Sequence, residues 1–507
     1  MTIERDKRRV LSFSRGTVSR DAAWSLVYST LVRVATVGLS VAVARLIGSA
    51  GAGAFGVALQ VTALGSMIAV FNLPQSLTKR LAEFVDPGSR RALLLTSAAL
   101  VAAGGLLVGL TVLLASGPLA DALYRDSAVQ PVLFACGPMI MANAGYLWVE
   151  GALQGLRRFD SLARWGAVVS AFDLVCGVIA AFFGVFAVIV VRALVRAAAT
   201  ILIVYAWLRR GGVPDSGRPI EASSQRTATP LSPPVLARGA VAGTLIAYAG
   251  PALLTAGIVL LGQTALRVLL VRRSGLVAAG HYQVADSIAQ GLMLIPTAAA
   301  TAFMPAVSRD QSLGNADLAR SLQRALEQVS GFNLGLCLVA IGVLPWAITP
   351  LFGGEFAPAR PVLVLLAAAY GLTGPAVIFG AVLLGRGEVW TGFFANAAWA
   401  TVVLGVFWFI TSSMGATGAA IAVGAGYVVL LLICFVVLLP AWRISRASVV
   451  PPLMTTFISI GLATALAFTP SIPAALTAVV CVMAGAAIFV RWGLPSLAES
   501  PLPGFRN

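Results

Sequence analysis

The stretch Arg45 to Ala58, RLIGSAGAGAFGVA, aligns without gaps on Arg272 to Ala285, RRSGLVAAGHYQVA, within the same chain. The two copies share Arg45/Arg272, Gly48/Gly275, Ala52/Ala279, Gly53/Gly280, Val57/Val284 and Ala58/Ala285, and Phe55 meets Tyr282. Further on, Asn72-Leu-Pro74 faces Phe303-Met-Pro305 after a four-residue slip. A match at this separation predicts a duplicated unit rather than one continuous core. Each copy joins two long apolar runs, so the duplicated unit is built from membrane helices.

Composition requires the same environment. Of 507 residues, 59% are hydrophobic and only 11% charged, with a mean hydropathy of +0.92, outside the range of soluble domains. A helix crosses the roughly 30 Å hydrocarbon core with about 20 apolar residues. Apolar runs of that kind predict an all-α integral membrane fold with about fourteen transmembrane helices. They lie near 22–47, 54–78, 92–115, 129–153, 162–184, 186–208, 243–271, 278–305, 327–350, 361–385, 391–412, 415–440, 451–469 and 472–490. The basic N-terminus, MTIERDKRRVLSFSRGTVSR, precedes an apolar segment too long for a cleavable signal, so it is expected to stay attached to the first span.

The net charge of +16 raises nucleic acid as a partner, but the basic residues form short clusters between spans rather than a stripe interleaved with aromatics. Their distribution predicts topology instead. With the N-terminus inside, Arg125, Arg272, Arg273 and Arg360 fall on the outer face, and the other basic residues of loops and tails fall on the cytoplasmic face. Both termini are then cytoplasmic. The stretch RRGGVPDSGRPIEASSQRTATPLSPPVLAR, 209–238, is rich in Pro, Ser, Gly and Arg and reads as a flexible linker. The expected organisation is therefore a tail at 1–21, a first lobe of six spans at 22–208, the linker, a second lobe of six spans at 239–440, and a C-terminal helix pair with tail at 441–507. Six spans between the copies give both lobes one orientation, related by an axis along the membrane normal.

Several chemistries are excluded. The lysines are Lys7 and Lys79, neither preceded by glycine, so a Walker A loop is absent. Cys136, Cys176, Cys337, Cys434 and Cys481 lie singly in apolar runs, which argues against disulfides and metal sites and for small core residues. No cofactor is implied. Gly51, Gly53 and Gly56 spell G-x-G-x-x-G but join two membrane helices with no strand before them. A tight turn and close helix packing are the expected roles of these glycines.

Charged residues inside spans are costly and therefore mark candidate sites. Arg33 lies about 16 Å into the first span at 1.5 Å per residue, too deep to snorkel easily. With Arg45, Arg267 and Arg272 it forms the candidate substrate-binding set, arginines on the leading helix of each lobe. Arg273 accompanies them at the end of span seven. For Arg45, Arg272 and Arg273 snorkelling to the outer headgroups is an equal reading. Arginine offers a planar fork of donors suited to phosphate and keeps its charge. Asp173 on span five and Arg192 and Arg196, one turn apart on span six, form a second group, read either as a structural ion pair or as a proton or cargo site. Asp286 and Glu150 are acidic candidates for ion coupling. His281 reads as an interfacial polar residue.

VARLIGSAGAGAFGVALQ leading to FNLPQSLTKRLAEF (43–84), with GALQGLRRFDSLA (151–163), resembles the Wzx-type polysaccharide flippases. That family lies within the larger group holding lipid II flippases and multidrug and toxin extrusion (MATE) transporters. The resemblance implies two lobes in a MATE-like arrangement and a protein that moves a polyprenyl-pyrophosphate-linked oligosaccharide between leaflets by alternating access. It implies an anionic lipid-linked glycan as substrate, membrane lipids and polysaccharide-assembly proteins as partners, no nucleic acid, and residence in the bacterial cytoplasmic membrane. The family's cationic cavity agrees with Arg33 and Arg267. A multidrug extruder of the same fold stays open as an alternative, although it would favour carboxylates in the first lobe. A membrane glycosyltransferase or polymerase, the enzyme alternative, would need a large outer loop, and the outer loops here are short.

Overall fold

The computed structural model describes residues 2–83, 87–156, 158–209, 238–294, 296–297, 315–386, 388–438, 446–468 and 474–488. Most of the linker 209–238 and the Phe303-Met-Pro305 half of the repeat lie outside the described residues. Among the described residues every regular element is helical. This is what a bilayer demands, because a helix satisfies its backbone groups within the segment.

Among the described residues, ten helical segments are long and apolar enough to cross a membrane. Two of them, Val27–Val70 and Leu253–Met293, each contain two spans separated by one broken residue. With the shorter apolar helices Met454–Ala465 and Ala475–Ile488, the described residues hold the fourteen membrane helices expected. The helix that begins the chain runs from Thr2, so residues 2–21 are helical and continuous with the first span.

Where loops were expected between spans one and two and between seven and eight, a single glycine breaks the helix. Gly48 has φ 82° and ψ −172°, and Gly275 has φ 79° and ψ 174°. This region is essentially restricted to glycine. Both copies of the repeat therefore bend the backbone alike at the aligned position. The turn itself is Gly48, upstream of the Gly51–Gly56 run expected to make it. Gly53 serves close packing: a Cβ there would strike the Leu276 carbonyl, and a Cβ at Gly280 would strike the Ser49 carbonyl. Gly53 aligns with Gly280 and Ser49 with Leu276, so the two copies exchange the same contact.

Span two, expected to run unbroken over 54–78, ends instead at Val70. Phe71 and Asn72 take left-handed φ values of 47° and 55°, and a new helix begins at Leu73. Asparagine tolerates the left-handed region, and Pro74, lacking an N–H, is accommodated in the first turn of the new helix, where that donor would have no intrahelical partner, so the chain turns there.

The chain divides into two compact units. Unit 1 comprises Met1–Leu39, Val61–Ala120 and Ser127–Leu253. Its core packs Leu73, Leu77 and Leu81 with Leu93, Leu94, Val149, Leu153 and Leu156. Trp148 and Trp207 meet edge to face there, 6.2 Å between centroids, and the Trp148 indole N–H donates to Ser97 Oγ at 2.9 Å. Unit 2 comprises Ser40–Gln60, Asp121–Asp126 and Leu254–Asn507. The segment 40–60, counted with the first lobe from sequence, thus groups with the C-terminal half. Inside unit 2 its Gln60 donates to Thr264 Oγ1 at 3.3 Å.

Candidate functional site

Unit 1 carries a buried polar cluster on spans four, five and six. Helices Phe159–Ala181 and Val185–Arg209 run antiparallel about a three-residue connection that includes Gly184 at φ 97°. That hairpin places Asp173 against Arg192. The Arg192 Nε lies 3.2 and 3.1 Å from the two carboxylate oxygens, and its Nη2 lies 3.0 Å from Oδ2. Both residues are buried, so each charge is compensated by the other.

One turn further along, Arg196 has a different environment. It donates to Asn143 Oδ1, and its guanidinium carbon stands 5.8 Å from the centre of the Tyr146 ring. Its buried Nε has no hydrogen-bond partner. Asn143 is held in turn by Nδ2 donating to Ser66 Oγ at 2.8 Å. A guanidinium bonded to a neutral amide keeps an outward electrostatic demand that Arg192 does not have. Glu150, on the helix that carries Asn143, accepts a hydrogen bond from the Tyr28 hydroxyl and lies within the electrostatic field of Arg196. Arg33 is half-buried in the same unit.

The other arginines of the candidate set lie in unit 2. Arg267 is engaged: Nη2 contacts Asp286 Oδ2 at 2.6 Å, Nη1 donates to Gln283 Oε1 and to the Gly56 carbonyl at 3.4 Å, and the group sits 5.5 Å from the Tyr282 ring centre. Asp286 also accepts from Tyr370 Oη at 2.6 Å and Gln290 Nε2 at 2.8 Å. Arg267 and Asp286, expected from sequence in separate groups, therefore form one ion pair. Arg45 donates to the Pro350 and Leu351 carbonyls, the latter at 2.8 Å. Arg272 is exposed. Arg273 lies 3.7 Å over the Trp408 ring and donates to the Trp408 carbonyl at 2.9 Å.

A further polar feature of unit 2 carries no signal in the sequence. The Glu355 carboxylate accepts from the Ser49 hydroxyl and, at 3.1 Å, from the Ser49 N–H just past the Gly48 break. The Ser49 hydroxyl chiefly, and then its backbone N–H, hold the Glu355 carboxyl below its usual range. His281 approaches the Glu355 carbonyl at 3.2 Å and packs edge-on to Phe356, 5.9 Å between centroids.

The neutral partners, Asn143, Ser66, Tyr28, Tyr370, Gln283 and Gln290, also escape a sequence reading that counts only charges. Polar side chains embedded in apolar runs were the available signal, strongest for Asn143 and Gln283. Of the cysteines, Cys136, Cys337, Cys434 and Cys481 are buried and Cys176 is partly so. Among the described residues no three of His, Cys, Asp and Glu gather as a metal site would require.

Known structures share this fold. The chain is similar to a solved structure titled lipid II flippase MurJ, inward closed conformation, with a TM-score of 0.65, 12% identity, and coverage of 94% of this chain and 100% of that one. It is similar to an inward-facing MATE family multidrug resistance transporter of the MOP superfamily, with a TM-score of 0.61, 13% identity, and coverage of 84% and 95%. It is also similar to the Vibrio cholerae MATE transporter VcmN, with a TM-score of 0.57, 15% identity, and coverage of 84% and 98%. At these identities the likeness establishes the fold. Comparison with curated protein sequences finds no match. Residues 18–311, more than half of the chain, match the family described as polysaccharide biosynthesis protein, and the chain belongs to that family.

Proposed function

We propose that the protein is a flippase that moves a polyprenyl-pyrophosphate-linked oligosaccharide from the cytoplasmic to the outer leaflet of the bacterial cytoplasmic membrane by alternating access. Both termini lie in the cytoplasm, and the transport step needs no covalent chemistry. Family membership supports a role in polysaccharide biosynthesis. The observation that carries the cargo class is Arg196, a membrane-embedded guanidinium bonded to a neutral amide while the nearby carboxylate of Asp173 is occupied by Arg192. An arginine is costly in the bilayer, and its fork of donors matches a phosphate oxygen pair. Arg33 is the second anion contact in unit 1. Arg45, Arg267 and Arg272 are the candidate substrate contacts within unit 2, Arg267 in its pair with Asp286.

The test is flipping of a fluorescent polyprenyl-pyrophosphate sugar in proteoliposomes by Arg196→Ala and Arg33→Ala. A charge-assisted hydrogen bond contributes about 1.5–3 kcal/mol, so each variant should lose roughly 10- to 100-fold in apparent affinity or rate. Unchanged flipping in both variants would overturn the assignment.

A cation- or proton-coupled multidrug extruder is the second reading. It rests on Glu150, a carboxylate inside the same unit bonded by Tyr28. Export of cationic dyes, abolished by Glu150→Gln, would favour it. Export of lipid-linked sugar without dye export favours the flippase.

A further inference from the structure

Asn143 stands between Ser66 and Arg196 and joins three helices of unit 1. It lies on Gln130–Gly155, Ser66 on the part of Thr2–Val70 beyond the Gly48 break, and Arg196 on Val185–Arg209. We propose that Asn143 fixes the charge preference of the binding site by holding the Arg196 guanidinium in place without neutralising it, a reading that rests on the flippase function above. Asn143 is then a positioning residue, acting on the cargo through Arg196.

The first observation is that the amide is held from both ends. Its Nδ2 donates to Ser66 Oγ at 2.8 Å, and its Oδ1 accepts from Arg196 Nη1. Turned over, the amide would set its NH2 group against a guanidinium, which offers donors only. Asn143 and Ser66 are both buried, so water does not compete for either group. The second observation is the state of Arg196 itself. The residue is partly exposed, and its guanidinium carbon stands 5.8 Å from the centre of the Tyr146 ring. That ring is fixed in turn by packing with Val169 and Ala199. The anchor occupies Nη1, while the buried Nε has no hydrogen-bond partner. A guanidinium anchored at one nitrogen beside a fixed ring presents its other donors in set directions, which lowers the ordering cost of binding.

The third observation is charge. Among the described residues Arg196 has no carboxylate partner at bonding distance, whereas Arg192, one turn away, has Asp173. Asparagine and aspartate have nearly the same shape. A carboxylate at position 143 would therefore neutralise Arg196 as Asp173 neutralises Arg192, with the Ser66 hydroxyl turning to donate instead of accept. Polar side chains between membrane helices commonly act as glue, and an aspartate would serve that purpose here at least as well. The amide is the choice that anchors the guanidinium and leaves its charge for a ligand. A phosphate oxygen pair matches what remains of the donor fork.

Native mass spectrometry of the full chain in phosphatidylcholine nanodiscs tests this with two probes that differ in the headgroup, undecaprenyl pyrophosphate and undecaprenol. The wild type should prefer the pyrophosphate. Asn143→Asp should cut that preference roughly 10- to 100-fold, as Arg196→Ala does, the worth of one charge-assisted hydrogen bond. It should do so without lowering the melting temperature, because Arg196 gains a buried counter-charge. Asn143→Ala, which removes the anchor and adds no charge, should weaken pyrophosphate binding about threefold to tenfold. That loss should vanish in an Arg196→Ala background, as a residue acting through Arg196 requires, and this cycle decides the matter if Asn143→Asp melts lower or does not fold. A pyrophosphate preference retained in a stably folded Asn143→Asp overturns the inference and leaves the flippase reading standing. So does an Asn143→Ala loss that is the same with and without Arg196, which would make Asn143 helix glue alone. A wild type that binds both probes equally, or an Arg196→Ala variant that keeps the full preference, overturns the cargo assignment of Arg196 and this inference with it.

Discussion

Arg192 and Arg196 are separated by one helical turn, yet the first faces a carboxylate and the second an amide. The difference is set by the residues across from them, Asp173 and Asn143, and it divides structure from proposed function. Asp173→Asn leaves Arg192 buried without a counter-charge, and breaking a buried pair from one side costs about 3–5 kcal/mol. A lowered melting temperature in detergent should show it, and Asp173→Asn combined with Arg192→Gln should melt higher than Asp173→Asn alone. Glu355 gives a pH effect with a defined sign. Its carboxyl lies below its usual range because it accepts from Ser49, so the folded state binds its proton less readily than the unfolded chain. The stabilisation from the Glu355–Ser49 contact is therefore fully present above the ordinary carboxylate range and weakens as pH falls towards the folded value. Melting curves taken over falling pH should show a loss that Glu355→Gln does not share. Asp173, Arg192, Arg196, Asp286 and Glu150 were legible in the sequence because charge inside an apolar run is conspicuous. Ser49 and Glu355 were not, since both lie at helix ends where polar residues are ordinary.

At the scale of elements, the breaks at Gly48 and Gly275 replace the expected loops. A continuous helix with one distorted residue leaves fewer backbone groups unpaired near the bilayer than a loop would. Gly48→Ala and Gly275→Ala should each destabilise by about 1–3 kcal/mol through backbone strain, measurable as a lower melting temperature. Gly53→Leu and Gly280→Leu act by another route, driving a side chain into the facing carbonyl. They should cost more than Gly461→Leu, where a Cβ meets nothing within 4 Å. The aligned copies foretold equivalent positions. They did not foretell which glycine turns and which packs, because a glycine needed for φ and one needed for proximity read alike.

At the scale of the molecule, the charge asymmetry of the loops predicts sidedness. In a cysteine-free background, Ser223→Cys should react with an impermeant maleimide only after the cytoplasmic face is opened, and Ala357→Cys should react in intact cells. Reversed labelling would refute the orientation. The number of membrane helices was readable from the chain because the bilayer imposes its cost locally: each span must be about 20 apolar residues whatever its neighbours are. The duplication was readable because aligned residues persist in sequence. The tertiary structure alone joined Arg267 to Asp286, left Arg196 with an amide, and grouped 40–60 with the C-terminal half. These depend on how each helix is rotated about its axis and which neighbour it meets, and a uniformly apolar helix surface encodes neither in its own residues.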